Sequence, residues 1–375
     1  MPGWEIEISM VTVTMGITSS VVNAYTEWDP LEEVIVGRLE GAHFPSWNVI
    51  NDHTVPSGEW TKIAAKIGGA GAIYPQSMMA AAQQELDGLI EILRTEGVTV
   101  RRPDQVSYSK PYATPDWRVE HGFCAANPRD PFLVIGNEII EAPMADRGRY
   151  FEAWAYRSLF KEYLQAGARW TAAPKPRLDG ALYKSDHRFP VEGEPMSYIL
   201  TEFEPVFDAA DFVRCGRDLF VQRSHVTNDL GILWLQNHLT DKHRIHVLET
   251  RNPEAIHIDT TFMPLAPGKV LVSPEYIDVD GLPAILKNWE ILIAPEPLPN
   301  NDPLKAVSKW ISINVLMLDE ERVIVEKHQI PMIKALKEWG FKPIPCAFEN
   351  YYPFLGGFHC ATLDIRRRGD LQSYF

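Results

Sequence analysis

The chain has 375 residues, of which 45% are hydrophobic and 23% charged, a composition typical of a globular protein with a sizeable core. Its 36 Lys and Arg residues against 50 Asp and Glu residues give a net charge of −14, so it lacks the basic excess of a nucleic-acid-binding protein. Four scattered cysteines exclude a disulfide framework, and no apolar stretch reaches the roughly 18 residues of a transmembrane helix. Without a secretory signal pattern, the sequence predicts a cytoplasmic protein that binds neither nucleic acid nor membrane.

Along the chain, an irregular extension is predicted over residues 1–20, followed by a single domain over residues 21–375. Short apolar runs that end at glycine or proline predict strands, in chain order, at 31–37, 98–103, 132–143, 218–222, 244–249, 269–275 and 289–297. Apolar residues at helical spacing predict helices at 77–95, 149–165, 227–239 and 330–340. Residues 315–327 predict a hairpin that turns at Asp319–Glu320. Strand pairs thus alternate with single helices about five times, as a structural repeat of ββαβ type would.

The densest candidate site is the segment LGGFHC, residues 355–360. Gly356 and Gly357 allow the backbone to approach a ligand closely, and they stand just ahead of a His–Cys pair. A cysteine on such a loop is a candidate nucleophile, although a buried structural thiol is the commoner role of a free cysteine. The other three cysteines, Cys124, Cys215 and Cys346, lack this setting and are predicted to lie in the core.

A second candidate is AIHIDTTF, residues 255–262, which is predicted to be a strand with His257 and Asp259 on one face. A histidine titrates near neutral pH and can transfer a proton, while an aspartate can orient it or bind a cation. The alternative is a structural His–Asp hydrogen bond without a catalytic role.

Aspartates provide the third group of candidates. Asp208 and Asp211 stand in the apolar run 203–212, where a carboxylate must be paired or face a cleft, or else cap a helix. Asp130 precedes a proline at the start of a predicted strand, where an aspartate commonly forms a turn. The chain has no zinc-ligand spacing and no phosphate-binding glycine loop, so neither metal nor cofactor is predicted. One cysteine, one histidine and several carboxylates instead suggest covalent thiol chemistry on a cationic group.

These residues lie in segments that resemble the L-arginine amidinotransferases, a family that includes the animal arginine:glycine enzyme and the inosamine-phosphate enzymes of streptomycin biosynthesis. The matching blocks are YTEWDPLEEVIVG (25–37), PRD (128–130), GNEIIEAPMA (136–145), TEFEPVFDAADF (201–212), IHIDTTF (256–262), SKWISINVLMLDEERV (308–323), GGFHC (356–360) and DIRRRGDLQSY (364–374). They extend from about residue 22 to the C-terminus, so the resemblance covers nearly the whole chain.

The resemblance implies an α/β propeller of five ββαβ modules with pseudo-fivefold symmetry, in agreement with the alternation of predicted elements. It also implies that Cys360 takes the amidino group of arginine and that His257 is the general acid and base. Asp208 would orient His257, while Asp130 and Asp259 would bind the guanidinium. A guanidinium carbon is a poor electrophile unless its charge is held by carboxylates, which makes this set of residues chemically coherent.

Differences from the animal enzyme concern the acceptor. Ile256 replaces a methionine, Glu254 an asparagine and Val307 one of two adjacent serines, while Ser308 keeps the other. Tyr276 aligns with an arginine that binds the substrate carboxylate in that enzyme. Loss of this arginine makes glycine a poor candidate acceptor, and glycine stays the alternative. The resemblance therefore favours a larger amine, as in toxin-pathway enzymes of the saxitoxin type.

Three alternatives remain open from the sequence. A guanidine hydrolase of the same superfamily would use nearly the same residues, with water instead of an amine resolving the cysteine adduct. A non-catalytic propeller would contain an inert thiol. A papain-like protease would need its cysteine near the N-terminus, unlike Cys360. Relatives suggest a homodimer, and the charged surroundings of Arg366, Arg367 and Arg368 predict structural ion pairs instead of a binding patch.

Overall fold

The computed structural model describes residues 20–55 and 60–375. The predicted extension over residues 1–20 therefore lies outside the described residues except for Ser20. None of the helices in the described ranges is long and apolar enough to cross a membrane. The single domain, the cytoplasmic location and the homodimer stay predictions.

Five three-stranded sheets share one topology, which is the basis of the predicted pseudo-fivefold symmetry. In each sheet the middle strand is antiparallel to the first strand and parallel to the third, so each sheet and its connections form one ββαβ module. The chain is thus a five-module α/β propeller, as the sequence predicted. The modules are numbered one to five from the N-terminus, by the middle strand of each sheet.

The strands that form the five sheets are short, with three strands in each module. Module one contains β17 (Thr362–Arg367), β1 (Leu31–Val36) and β2 (Thr99–Arg101). Module two contains β5 (Phe132–Ile135), β6 (Glu138–Glu141) and β7 (Arg169–Ala172), and module three β8 (Phe212–Cys215), β9 (Asp218–Gln222) and β10 (Arg244–Leu248). Module four contains β11 (Phe262–Ala266), β12 (Lys269–Val272) and β13 (Glu290–Ile293), and module five β14 (Leu316–Met317), β15 (Arg322–Glu326) and β16 (Lys342–Cys346). A separate hairpin pairs β3 (Tyr112–Ala113) with β4 (Arg118–Val119).

Helices connect the second and third strands in four of the five modules. These connecting helices are α3 (Gln76–Thr95), α4 (Arg157–Gln165), α5 (Asp229–Leu239) and α6 (Ile330–Glu338). Two short helices, α1 (Asn51–Thr54) and α2 (Trp60–Ala65), precede α3 in module one. In the described part of module four the connection contains only two 3-10 turns, at 279–281 and 284–286, so one of the five expected helices is replaced.

Closure of the propeller depends on the C-terminus, because β17 supplies the first strand of module one and pairs with β1. The predicted helix at 149–165 is regular only from Arg157, since residues 152–156 form a 3-10 turn. The predicted strand at 269–275 ends at Val272, ahead of Pro274. These differences lie at the ends of elements, where local pattern is weakest.

Each connecting helix covers the outer face of its sheet with an apolar stripe. In α3 the buried positions recur at helical spacing and are Ala82, Leu86, Leu89, Ile90 and Leu93. They join a core formed with β1, β14, β15 and the turn at 349–354. This helix and the neighbouring strands therefore bury apolar surface in a shared core.

One buried carboxyl on this periphery predicts a pH-dependent stability. Burial, together with the charges of Glu349 and Glu85, raises the pKa of Glu326 from 4.5 to about 7. A carboxyl whose pKa is raised in the folded state ionises more readily in the unfolded chain. The free energy of unfolding of wild type therefore falls as the pH rises from about 4.5 to 7. We expect Glu326→Gln to avoid this loss and to be more stable than wild type by about 1–2 kcal/mol near pH 8.

The measurement is the free energy of unfolding from urea denaturation at about pH 4 and pH 8. The difference between variant and wild type should vanish near pH 4, where Glu326 is neutral in both folded and unfolded chains. Glu192→Gln, at an exposed position, is the matched control and should show little change at either pH. Equal stabilities of Glu326→Gln and wild type near pH 8 would contradict the raised pKa.

Candidate functional site

The turn before the first strand of every module contributes one side chain to the centre of the propeller. These side chains are, from module one to module five, Cys360, Asp130, Asp208, Asp259 and Asn314. The first four are buried and line one pocket of about 1010 Å³, including its open mouth. Repetition of one topology around an axis thus brings together residues that are up to 230 positions apart in the chain.

His257 lies in the pocket by a different local structure from the predicted strand. Residues 258–260 form a 3-10 turn, and His257 is the extended residue before it. The prediction of a strand over 255–262 was therefore wrong, and β11 begins only at Phe262. His257 and Asp259 nevertheless both line the pocket.

The His257 imidazole is held between two carboxylates. Its Nε2 lies 3.1 Å from Oδ2 of Asp208, and its Nδ1 lies 3.6 Å from Oδ1 of Asp130. Burial by itself lowers the pKa of His257, but the charge of Asp130 and the hydrogen bond to Asp208 outweigh it and hold the pKa well above its usual value. The ring is thus an imidazolium with protons on both nitrogens near neutral pH, which makes it a proton donor.

Arg149 binds the same two aspartates from the other side. Its guanidinium lies 2.8 Å from Asp130 and 3.6 Å from Asp208, and its Nε and Nη2 donate to Glu152 at 3.0 and 2.8 Å. Burial lowers the pKa of Arg149, but the charges of Glu152 and Asp130 more than compensate. Because an unpaired buried carboxylate is costly, this arginine allows several acidic groups to remain close together without a ligand.

The Cys360 sulfur has three polar neighbours. It accepts a hydrogen bond from Nδ2 of Asn314 at 3.2 Å and donates to Oδ2 of Asp259 at 3.5 Å. The His257 ring approaches it to within 4.8 Å. Burial and the charge of Asp259 raise the pKa of the thiol to about 12, although the nearby His257 opposes this. Without a cation in the pocket the sulfur is therefore a neutral thiol.

Asp259 is oriented by a second histidine. Nδ1 of His359 donates to Oδ2 of Asp259 at 2.8 Å, and its Nε2 lies 3.3 Å from Glu27. Glu27 is in turn bound by Arg214, whose Nη2 also contacts Asp364. Burial raises the pKa of Asp259, but the hydrogen bond from His359 outweighs it and holds the pKa below its usual value. Asp259 therefore stays charged.

Several carboxylate oxygens in the pocket have no hydrogen-bond donor among the described residues. They are Oδ1 of Asp130, Oδ1 of Asp208 and Oδ1 of Asp259, and all three are buried. A buried acceptor without a donor costs about 1–3 kcal/mol, more for a charged group. Acceptors from three modules that converge on one pocket match a cationic ligand with several N–H donors.

The other predicted substrate-binding residues also line this pocket. The Tyr276 hydroxyl lies 3.3 Å from the Ser308 hydroxyl, and the Ser308 side chain caps the 3-10 turn at 309–313. Ile256 and Val307 add apolar surface, and Glu254 adds a carboxylate. Among the described lining residues Arg149 is the one arginine or lysine, and it is committed to acidic partners. The lining thus favours cationic groups over carboxylates.

Asp130, His257 and Cys360 each offer a ligand atom, and these three atoms lie within 4.8 Å of one another. This donor set is one that zinc accepts. The same groups also match the requirements of thiol chemistry on a cation, and the absence of metal and cofactor stays a prediction. A second group of potential ligands, Glu326, His328 and Glu349, lies at the periphery.

Sequence reasoning missed Arg149 and Asn314 as site residues, and it noted the His359–Cys360 pair without giving His359 a role. Arg149, His359 and Asn314 all contact predicted site residues directly. The signal for Asn314 was its position two residues before a strand, shared with Asp130 and Cys360. Arg149 carries no such signal.

The remaining sequence predictions concern residues outside the pocket. Cys124, Cys215 and Cys346 are buried, as expected for core thiols. Arg367 binds Asp364 at 2.8 Å, and Arg366 binds Glu32 and Glu33 at 3.0 Å, which confirms the structural ion pairs expected there. Asp208 precedes a 3-10 turn, but its side chain caps nothing and faces His257 instead.

Comparison with known proteins identifies close relatives over nearly the full chain. An L-arginine:L-lysine amidinotransferase from Pseudomonas savastanoi pv. phaseolicola is 48% identical over 359 residues, which cover 96% of this chain and 98% of the relative. The mitochondrial glycine amidinotransferase of Danio rerio is 45% identical over 364 residues, covering 94% of this chain and 85% of that protein. No protein-family model matches the chain.

Solved structures give the same result. An amidinotransferase of the saxitoxin biosynthetic pathway from Microseira wollei is 64% identical with a TM-score of 0.92, covering 95% of this chain and 100% of that one. The inosamine-phosphate amidinotransferase of Streptomyces griseus is 37% identical with a TM-score of 0.84, covering 95% and 99%. A dimethylarginine dimethylaminohydrolase at 16% identity and a TM-score of 0.53 shares the fold. Given this similarity over nearly the whole length, the chain belongs to the amidinotransferase family and is an amidinotransferase.

Proposed function

We propose that this enzyme transfers the amidino group of L-arginine, through a covalent amidino-cysteine at Cys360, to a primary amine, with release of ornithine. The observation that carries the proposal is the set of buried carboxylate oxygens from Asp130, Asp208 and Asp259 around one thiol, which accept no hydrogen bond from the described residues. A planar guanidinium with five N–H donors satisfies such acceptors, and bidentate pairing with carboxylates is its preferred geometry.

The first half-reaction begins with substrate binding. The guanidinium charge next to Asp130 and Asp259 offsets the negative charges that raise the thiol pKa. The Cys360 thiol loses its proton to water at the open mouth of the pocket. The resulting thiolate then attacks the guanidinium carbon, and a carbon–sulfur bond forms. The bond from that carbon to the side-chain nitrogen of arginine breaks, and His257 gives its proton to the departing amine, which leaves as ornithine. The carboxylates hold the positive charge that stays on the amidino group.

The second half-reaction reverses these roles. An acceptor amine enters the position left by ornithine and attacks the amidino carbon, while neutral His257 takes its proton. The carbon–sulfur bond breaks, the thiolate leaves, and a new guanidino compound is released. Such a double displacement predicts ping-pong kinetics. Asp208, 3.1 Å from the ring, supports both states of His257 by holding its orientation.

The outer pocket supports a proposal for the rest of the donor. The neighbouring hydroxyls of Tyr276 and Ser308 can donate hydrogen bonds to the carboxylate of arginine. Among the described residues that line this wall, no free arginine or lysine is present to bind that carboxylate. We also propose that the acceptor is an amine without a carboxylate. The acidic Glu254 and the apolar Ile256 and Val307 favour such an amine over glycine, and the relative with 64% identity acts in the saxitoxin pathway.

The experiment that tests the proposal is intact-protein mass spectrometry after mixing the enzyme with L-arginine and no acceptor. We expect one added amidino group per chain, mapped to Cys360 by peptide analysis, together with ornithine in solution. The Cys346→Ala variant removes a buried thiol outside the pocket and is the matched control, which should form the same adduct.

Each other outcome has a definite meaning. Citrulline that accumulates without added amine would mean that water resolves the adduct and that the enzyme is a hydrolase. An enzyme that forms neither adduct nor product would exclude arginine as the donor. If the adduct forms, long-chain amines without a carboxylate should discharge it faster than glycine or lysine, and the reverse order would contradict the proposed acceptor class.

A further inference from the structure

Asn314 occupies in module five the position that other modules use for reactive groups. It stands two residues before β14, as Asp130 stands before β5 and Cys360 before β17. The pseudo-fivefold repeat therefore directs its side chain to the centre of the propeller, where it is buried. It differs from the aspartates at the corresponding turns in being neutral and in having N–H donors.

The orientation of the Asn314 amide follows from its neighbours. Its Oδ1 accepts hydrogen bonds from the backbone N–H of His359 at 2.9 Å and of Cys360 at 3.4 Å. Because the oxygen must face these two donors, the Nδ2 group is directed away from them. It donates to the Cys360 sulfur at 3.2 Å. One side chain thus holds the backbone of the cysteine turn and hydrogen-bonds its sulfur.

This close approach requires a glycine in the cysteine loop. A Cβ atom added to Gly357 would lie 2.5 Å from Oδ1 of Asn314 and 2.9 Å from its Cγ. Those separations are shorter than van der Waals contact, so a side chain at this position would displace the amide. The loop sequence and Asn314 are therefore matched to each other.

We propose that Asn314 is a catalytic residue that donates a hydrogen bond to the Cys360 sulfur and stabilises its thiolate form. The inference rests on the proposed role of Cys360 as the nucleophile. A hydrogen bond to the charged form favours ionisation, and no proton is transferred to or from the amide. The same bond stabilises the thiolate twice: when it attacks the guanidinium carbon, and when it leaves after the acceptor amine has attacked.

Other groups around the sulfur make this donor necessary. Burial opposes ionisation of the thiol most strongly, and the charges of Asp259 and Asp130 add to its effect. His257 favours the thiolate, but in the proposed reaction it gives its proton to ornithine while the sulfur is still bound to carbon. The hydrogen bond from Asn314 to the sulfur does not depend on whether His257 carries its proton.

The test is the pH dependence of Cys360 alkylation by iodoacetamide, with the modified cysteine identified by peptide mass spectrometry. Asn314→Asp keeps the oxygen that binds the backbone and replaces the donor by an acceptor. Gly357→Ala displaces the amide without introducing a charge. In both variants we expect the midpoint of alkylation to shift to higher pH. Because the wild-type midpoint is already high, the shift is read from the rate at a fixed pH of about 8, which should fall by at least about 10-fold.

The control for the substitution is Asn137→Asp, at an exposed turn between β5 and β6, which should leave the midpoint unchanged. An unchanged midpoint in both test variants would overturn the proposal and assign Asn314 a purely structural role. A shift in Asn314→Asp without one in Gly357→Ala would also overturn it, because the added charge would then explain the effect.

The design separates this proposal from the proposed function. If wild type forms no amidino adduct with arginine, the nucleophile assignment fails, whereas the alkylation profile still reports the interaction of Asn314 with the sulfur. If the adduct forms at Cys360 and the midpoint does not move in either variant, the function stands and the role of Asn314 fails. Thermal unfolding of each variant shows whether the fold is retained.

Discussion

The Cys360→Ala variant is expected to lose amidino transfer by at least about 10⁴-fold. The sulfur is the nucleophile in the proposed reaction, and methyl in its position cannot form the covalent intermediate. The carboxylates that bind the guanidinium, Asp130 and Asp259, are unchanged, so arginine should still bind. The measurements are steady-state turnover with arginine and an amine, and the dissociation constant of arginine by calorimetry.

The same substitution at Cys346, a buried thiol of β16, is the matched control and should leave turnover close to that of wild type. Activity in Cys360→Ala within a few-fold of wild type would refute covalent catalysis. Loss of activity together with loss of arginine binding would instead point to a structural function of the cysteine turn.

The Asp208→Asn variant is expected to lower kcat by about 10²–10⁴-fold. The Asp208 carboxylate accepts from His257 Nε2 at 3.1 Å and helps to keep the ring protonated. An amide of the same shape removes the negative charge, so the pKa of His257 falls. The imidazolium that protonates ornithine then loses its proton at a lower pH than in wild type. The alkaline limb of the pH–rate profile for the first half-reaction should therefore move to lower pH. His257→Ala should lose more activity, because the acid itself is then missing.

Asp116→Asn is a matched control, because Asp116 is exposed and pairs with Arg177. It should leave both kcat and the pH profile unchanged. An Asp208→Asn profile that coincides with that of wild type would show that Asp208 does not act on His257, even if kcat falls.

The charges of the side chains that line the pocket suit a cationic substrate. His257 is protonated, Cys360 is a thiol, and Asp259 is ionised. Arg149 neutralises part of the remaining negative charge from a position already committed to Glu152. A guanidinium adds the positive charge that ionisation of the thiol requires, so substrate binding and activation of the nucleophile are coupled. This coupling would limit reaction of the thiolate with other electrophiles.

Much of the chemistry could be predicted from local sequence. Glycines before a His–Cys pair, and a histidine two residues from an aspartate, each suggested a candidate reactive group beside a structural alternative, and the family resemblance supplied the proposed roles. The structure brings Cys360, His257, Asp130, Asp208 and Asp259 into one pocket. The alternation of strand pairs with helices was equally visible, because hydrophobic periodicity depends on residues close in sequence.

Local sequence was less informative where tertiary contacts override it. The alternating pattern of residues 255–262 predicted a strand, yet a 3-10 turn forms there. In this turn buried Ile258 packs in the core of module four, while His257 and Asp259 find partners in other modules. Ion pairs between modules thus determine a 3-10 turn, where the alternation of apolar and polar residues by itself predicts a strand.

The sequence by itself determined the reactive residue types, the order of strands and helices, and the net negative charge. Each of these depends only on composition or on patterns a few residues long. Tertiary structure decided which groups meet. The closure of β17 onto β1 places Cys360 opposite turns that lie 100 or more residues away. His359 and Asn314 acquired their contacts with the site through that closure. Arg149 instead contacts Asp130 of its own module and Asp208 of the next module, so its contacts depend on how modules two and three pack.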